Sequence, residues 1–269
     1  MLSEKDLLKL QNGSDIRGVA VEGVANENVN LTAEAVNLIA SGFVKFLSDK
    51  LGKKDLKIAI GHDSRITAEK LKIAAIKSLV ANGAKVLDCG LASTPAMFMS
   101  IVFPETKADG AIMLTASHLP FNRNGMKFFT ADGGLEKSDI VKVLKNVANF
   151  SELDADISVV EKFDLISLYS AHLCKIIRDK LNFGDKPLSG MKIIVDAGNG
   201  GGGFFAEKVL VSLGADIAGS QFLEPDGNFP NHIPNPEDKI AMSSIQKAVL
   251  DNHADLGLIF DTDVDRMSA

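Results

Sequence analysis

Only two cysteines occur in the chain, Cys89 and Cys174, too few for a disulfide framework. Cys89 falls in an expected strand, so both read as reduced core thiols of a cytosolic protein. No block of lysine and arginine is present, and 35 acidic against 29 basic residues leave a net charge of −6. Nucleic acid and anionic membranes demand a concentrated basic face, so neither is expected as a main partner. Residues 1–10 are charged and helical in pattern, without the apolar core of a signal peptide, and no later run is long enough to span a bilayer. The chain therefore reads as soluble and cytoplasmic. What it does have is apolar residues, 46% of 269, enough for two ordinary domains with a core each.

Two stretches carry chemistry. The apolar run Ala111-Ile112-Met113-Leu114 stops abruptly at Thr115-Ala116-Ser117-His118-Leu119-Pro120. This reads as a buried strand delivering Ser117 to a loop at its carboxyl end, where open α/β sheets place their ligands. A strand-ending turn with Ser117 as a helix cap is the other reading. The second stretch, Asp261-Thr262-Asp263-Val264-Asp265-Arg266, follows the apolar Leu256-Gly257-Leu258-Ile259-Phe260. Carboxylates at alternate positions of an extended segment point to one side, and crowded hard oxygens repel unless a divalent cation such as Mg²⁺ sits among them. An EF-hand also opens on alternating aspartates, but it needs glycine where Arg266 stands. An acidic solvated loop is the alternative.

These motifs, with Asn124-Gly125-Met126-Lys127 after the serine loop and Gly13-Ser14-Asp15-Ile16-Arg17-Gly18 before it, occur in one order. Together they resemble the α-D-phosphohexomutases, the phosphoglucomutase and phosphomannomutase superfamily, from about Gln11 to the last residue. The resemblance implies that Ser117 is the phosphorylated nucleophile and that Asp261, Asp263 and Asp265 hold Mg²⁺ beside its phosphate. It also implies Arg17, His118, Lys127 and Arg266 around the transferring oxygens, with a hexose phosphate as substrate and a hexose 1,6-bisphosphate as activator. The sequence departs from the family in two places. The loop before Arg17 lacks the usual Gly-Thr-x-Gly-x-Arg-Gly pattern, and Leu119 stands where asparagine is usual.

The remainder reads as scaffold. Helices are expected over 32–51, 67–82, 138–149, 165–182, 204–213 and up to 252, with strands over 56–61, 85–90, 192–196 and 256–260. Residues 12–18 read as a polar loop, with Arg17 either solvated or folded over the site. Residues 126–129 read as a strand returning antiparallel, which would keep Lys127 on the same hairpin as Ser117, where it could neutralise phosphate or shuttle a proton. His62, Asp63 and Arg65 either tie their own loop or reach the site, and Arg65 is carried as a substrate contact. His232 reads more readily as a loop-tying residue than as a neighbour of the metal. Gly198, Gly200 and Gly203 satisfy G-x-G-x-x-G. A dinucleotide site is not inferred, because the acidic residue that should end the next strand is misplaced at Asp216 and such glycines also serve close packing.

The expected fold is α/β: two successive three-layer α/β/α domains with mixed sheets, at 1–155 and 156–269. A weak repeat supports the division, Lys57-Ile58-Ala59-Ile60 with Gly83-Ala84-Lys85 being echoed by Lys192-Ile193-Ile194-Val195 with Gly214-Ala215-Asp216. The family has four domains, and the sugar-recognising and carboxyl-terminal phosphate loops of the third and fourth have no counterpart here. The chain therefore reads as part of a longer protein whose remaining domains act in cis, and as inactive by itself. A metal-dependent phosphatase with an aspartate nucleophile and a non-catalytic sugar-phosphate-binding fragment are the alternatives.

Overall fold

The structure, a computed structural model, describes residues 2–147 and 151–269. It divides into two compact units. The first takes residues as far as His62, Thr67–Gly90 and Met97–Phe163; the second takes Asp63–Ile66, Leu91–Ala96 and Asp164–Ala269.

In chain order the first half contains α1 (Glu4–Leu8), β1 (Gln11–Asn12), β2 (Asp15–Val19), α2 (Ala33–Leu51), β3 (Lys57–His62), α3 (Ala68–Ala81) and β4 (Lys85–Leu91). There follow α4 (Thr94–Val102), β5 (Gly110–Leu114), β6 (Arg123–Thr130), β7 (Gly133–Gly134), α5 (Lys137–Lys145) and β8 (Glu161–Lys162). The strands form one mixed sheet ordered β1-β2-β6-β5-β3-β4-β8, with β7 on β6. Strand β5 is parallel to β3 and antiparallel to β6. All five of its residues are buried, as a central strand covered on both faces requires. Helix α2 forms because Val36, Ile39, Phe43 and Leu47 make one apolar stripe, all fully enclosed. The Thr32 hydroxyl accepts from the Ala35 amide at 3.1 Å to start it, and Gly52 at φ 66° ends it. Phe43 then meets Phe128 of β6 at 4.8 Å between ring centroids, joining helix to sheet.

Three expectations change here. Residues 12–18 are not a loop: β1 and β2 form a hairpin, and Arg17 lies on β2 opposite Gly125. The expected boundary after residue 155 falls before β8, which pairs with β4 and so keeps the chain in the first unit through Phe163. Helix α5 ends at Lys145, and residues 148–150, where the expected helix and boundary meet, lie outside the described residues.

The second unit contains α6 (Leu165–Leu181), β9 (Ile193–Asp196), a π-helix (Phe205–Leu210) continued by a 3₁₀ turn (Val211–Leu213), α7 (Lys239–Asp251), β10 (Leu256–Phe260) and β11 (Met267–Ser268). Strands β9 and β10 are parallel, and β11 is antiparallel to β10. Ile193, Val195, Leu258 and Phe260 pack with Ala206 and Leu210, whereas Ile194 and Ile259 pack with Ala241, Ile245 and Ala248. Alternate residues thus bury against a helix on each face, which is the physical content of a three-layer α/β/α unit. The helix expected over 204–213 is π-helical for most of its length, and the Cys174 thiol donates to the Lys208 and Val209 carbonyls within the widened turn, at 3.7 Å each. The segment at Asp216, the second half of the sequence echo, makes only an isolated bridge to Lys192. Burial raises the pKa of both thiols, that of Cys89 to about 12, so neither is a thiolate at neutral pH.

Candidate active site

The serine loop is built from β5 outward. The fully buried strand ends at Leu114, the Thr115 amide still donates to Gly125 of β6 at 3.1 Å, and the chain then turns at Ser117 and His118. Ser117 is held at φ 49°, a left-handed conformation that costs an L-residue energy and is concentrated at functional sites. Its amide donates to the Thr115 hydroxyl at 2.8 Å, and its own hydroxyl lies 3.4 Å from His118 Nδ1. Arg17 reaches across from β2: one guanidinium nitrogen donates to the Thr115 carbonyl and another pairs with Asp15 at 2.7 Å. Glycine is required at 125 for this approach, because a Cβ there would stand 2.8 Å from the Thr115 carbonyl oxygen and 2.9 Å from Arg17 Cδ. Lys127 sits on β6 opposite Met113, half-buried, in the strand that returns from the serine loop. Arg17, His118 and Lys127 are thus gathered on the strands and turn that carry Ser117.

The aspartate loop follows β10 in the second unit. Asp261, Asp263 and Asp265 each offer one oxygen within 4.8 Å of the others, and Asp261 and Asp263 are buried. Asp261 Oδ1 accepts the Asp265 and Arg266 amides, both at 3.1 Å, while Oδ2 accepts from the Arg266 guanidinium at 3.1 and 3.2 Å. The loop closes further because Val264, at φ 64°, donates its amide to the Asp261 carbonyl at 3.2 Å. Asp263 is held by Thr94, whose hydroxyl donates to Oδ2 at 2.5 Å and whose amide donates to the Asp263 carbonyl at 2.8 Å. Three converging carboxylates on a short rigid loop are a hard-oxygen donor set, and they fit a small divalent cation.

The glycine loop after β9 supports this turn. The Gly201 amide donates to the Thr262 carbonyl at 2.8 Å, and a Cβ at Gly200 would lie 2.8 Å from Thr262 Cα. Glycine at 200 is therefore a matter of close packing under the aspartate loop. A cleft of about 310 Å³ beside it is lined by Gly201, Gly203, Glu207, Lys208 and Glu224. With Asp164, which also lines it, three carboxylates oppose the pyrophosphate that a dinucleotide would bring.

Both halves of the chain match known proteins. Residues 9–153 match the family model for phosphoglucomutase/phosphomannomutase, alpha/beta/alpha domain I, and residues 168–269 match that for domain II. The chain belongs to the phosphoglucomutase/phosphomannomutase family. A phosphomannomutase/phosphoglucomutase of Pseudomonas aeruginosa is 32% identical over 253 residues, covering 94% of this chain and 50% of that protein. A probable phosphoglucosamine mutase of Methanosarcina barkeri is 32% identical over 269 residues, covering 97% and 55%. Among solved structures, a phosphoglucomutase/phosphomannomutase family protein of Burkholderia thailandensis superposes with a TM-score of 0.77 at 26% identity, covering 99% of this chain and 54% of that one. The chain thus spans about half the length of the curated relatives it matches. Among the described residues no helix is long and apolar enough to cross a membrane.

Within this family chain, two residues flagged by sequence occupy enclosed positions. The Arg65 side chain is fully buried, 3.3 Å from Asp63 and 5.3 Å from the Phe229 ring centroid, so it fastens its loop within the second unit. His232 lies 3.0 Å from Asp196 at the end of β9 and 2.9 Å from the Ile233 carbonyl, tying the 225–236 loop to the sheet. Burial opposes charging His232, but the hydrogen bonds its ring donates to the Asp196 carboxylate and the Ile233 carbonyl, with the Asp196 charge, outweigh it, and its pKa is raised. Thr94 is the residue that sequence reasoning passed over. Thr94-Pro95 signals a helix start, and nothing local links it to an aspartate 169 positions later.

Proposed function

We propose that the chain carries the phosphoserine and metal-binding parts of a phosphohexomutase, an isomerase that moves phosphate between the 1- and 6-positions of a hexose through a sugar bisphosphate. The observation that carries this reading is Ser117, strained at φ 49° on the end of a buried strand inside the matched family segment. Phospho-Ser117 gives its phosphoryl group to a free hydroxyl of a hexose monophosphate: the Oγ–P bond breaks as the sugar O–P bond forms, and the hydroxyl proton leaves to a base on the serine's own strands, for which uncharged Lys127 is the candidate, and is passed on to the freed Ser117 oxygen. The bisphosphate turns over and returns its other phosphate to Ser117. Phosphoserine carries a charge of about −1.5 to −2 at pH 7, so cationic or hydrogen-bond-donating groups must oppose it, and Arg17, His118 and Lys127 are the candidates on the strands and turn that carry it. Asp261, Asp263 and Asp265 would hold Mg²⁺. That ion would neutralise the charge of the transferring group. Arg266 is proposed for the substrate phosphate, whereas the enclosure of Arg65 supports a loop-holding role in place of substrate contact.

Serine is favoured over an aspartate nucleophile because Ser117 stands in a strained turn at the end of a buried strand, whereas the three aspartates converge as a donor set for a cation. Sugar recognition would fall to the family's further domains in cis. The test is intact-mass measurement of the purified chain after exposure to a hexose 1,6-bisphosphate and Mg²⁺, followed by peptide mapping. One phosphate on Ser117, absent in Ser117→Ala, is the expected result. Phosphate on Asp261 or Asp263, or undiminished labelling of Ser117→Ala, overturns the reading.

A further inference from the structure

The metal reading of the aspartate loop leaves one question: what keeps Asp263 aimed at the cluster when its side chain has no exposure to water? We infer that Thr94 is a positioning residue for the divalent cation, acting through Asp263. The inference rests on the proposed metal site and adds a residue to it. Two bonds join the pair, the hydroxyl to Oδ2 at 2.5 Å and the Thr94 amide to the Asp263 carbonyl at 2.8 Å. Together they fix the backbone and the carboxylate plane of one residue at once. The first bond lies in the range of a charge-assisted O–H···O⁻ contact. Its donor is immobile: Thr94 is the first residue of α4, the following Pro95 restricts the backbone, and Thr94 is itself 8% exposed.

Residues that hydrogen-bond a ligating carboxylate orient it and commonly account for 10- to 100-fold in metal affinity. Asp261 is oriented by its own loop, through two amides and Arg266. Asp263 is oriented from a distant segment, and that segment belongs to the same compact unit. The carboxylate oxygen that accepts from Thr94 has one lone-pair direction committed, which selects the rotamer presenting the group to its two neighbours. Without the hydroxyl, Asp263 keeps its backbone anchor but loses one constraint on its side-chain torsion.

The experiment is calorimetric titration of the purified chain with Mg²⁺, and with Mn²⁺ as a second probe, comparing wild type with Thr94→Val and Thr94→Ser. Thr94→Val preserves shape and removes the donor, so its affinity should fall about 10- to 100-fold. Thr94→Ser restores the hydroxyl and should stay within a few-fold of wild type. Equal affinity of wild type and Thr94→Val overturns the inference, and so does a Thr94→Ser variant as weak as Thr94→Val. If the wild-type chain itself binds neither ion, it is the metal reading that fails. A measurement without substitution covers the case of a valine variant that does not fold: the Thr94 methyl resonance should move with added Mg²⁺ along the calorimetric isotherm. A saturating isotherm with a stationary Thr94 signal overturns the inference.

Discussion

Arg17 makes two bonds from one planar group, to the Thr115 carbonyl and to Asp15, and so braces the strand end from which Ser117 projects. Lysine is a point charge that cannot make both at fixed angles. Arg17→Lys should therefore keep the fold but slow phosphate labelling of Ser117 by about 10²-fold, the usual cost of a 1 Å misplacement; an unchanged rate would mean the guanidinium does no positioning. Asp263→Asn keeps shape and removes the charge. It should weaken Mg²⁺ binding at least as much as loss of the Thr94 hydroxyl, and calorimetry on the same chain decides it. At this scale the aspartates were readable because three carboxylates at alternate positions of one loop are local. Arg17 was readable as a residue but not as a strand residue. The hairpin that holds it exists only because β6 lies alongside, with Gly18 opposite Asn124 and Arg17 opposite Gly125.

Elements with strong local signals matched their expected places: α2 starts after Thr32, which caps it, and the apolar runs at β5 and β10 are strands. The π-helix after the glycine loop could not be read, because its apolar spacing is compatible with an α-helix and the widening is settled by packing against α6. The glycine loop itself yields a prediction. Gly200→Ala sets a Cβ 2.8 Å from Thr262 Cα and carbonyl oxygen, both backbone atoms that cannot step aside. The expected cost is about 1–3 kcal/mol, seen as a lower Tm together with weaker Mg²⁺ binding; a stable variant with normal metal affinity would show that the two loops move independently. The 225–236 loop has a pH signature. His232 has a raised pKa in the folded state, so its contribution is complete below about pH 6.5, the unfolded value. It is lost as pH rises through the higher folded value. Denaturant midpoints should fall across that window in the wild type, and His232→Gln should flatten the profile.

Each unit has apolar packing of its own, a large core cluster in the first and clusters on both faces of β9 and β10 in the second, and the aspartate loop belongs to the second. Ligand binding to the folded form stabilises it by mass action, about 2.7 kcal/mol at 100 times Kd. Scanning calorimetry with Mg²⁺ should accordingly raise the transition that includes the second core and leave melting of the first nearly in place; equal shifts would mean that the units unfold as one. The division was visible in the sequence as two motif-bearing halves, but the segments that cross it were not, since Asp63–Ile66 and Leu91–Ala96 are separated from the rest of their unit by stretches of the first. That crossing has a consequence during synthesis. When residues through Phe163 have left the ribosome, the first sheet can close, yet Arg65 has no Phe229 to lie against and Thr94 has no Asp263 to hold. Two short segments must wait, unfolded on an otherwise finished body, for translation of the second half. At that stage a nascent chain is most open to chaperone capture, and a pause in translation after residue 163 would prolong it.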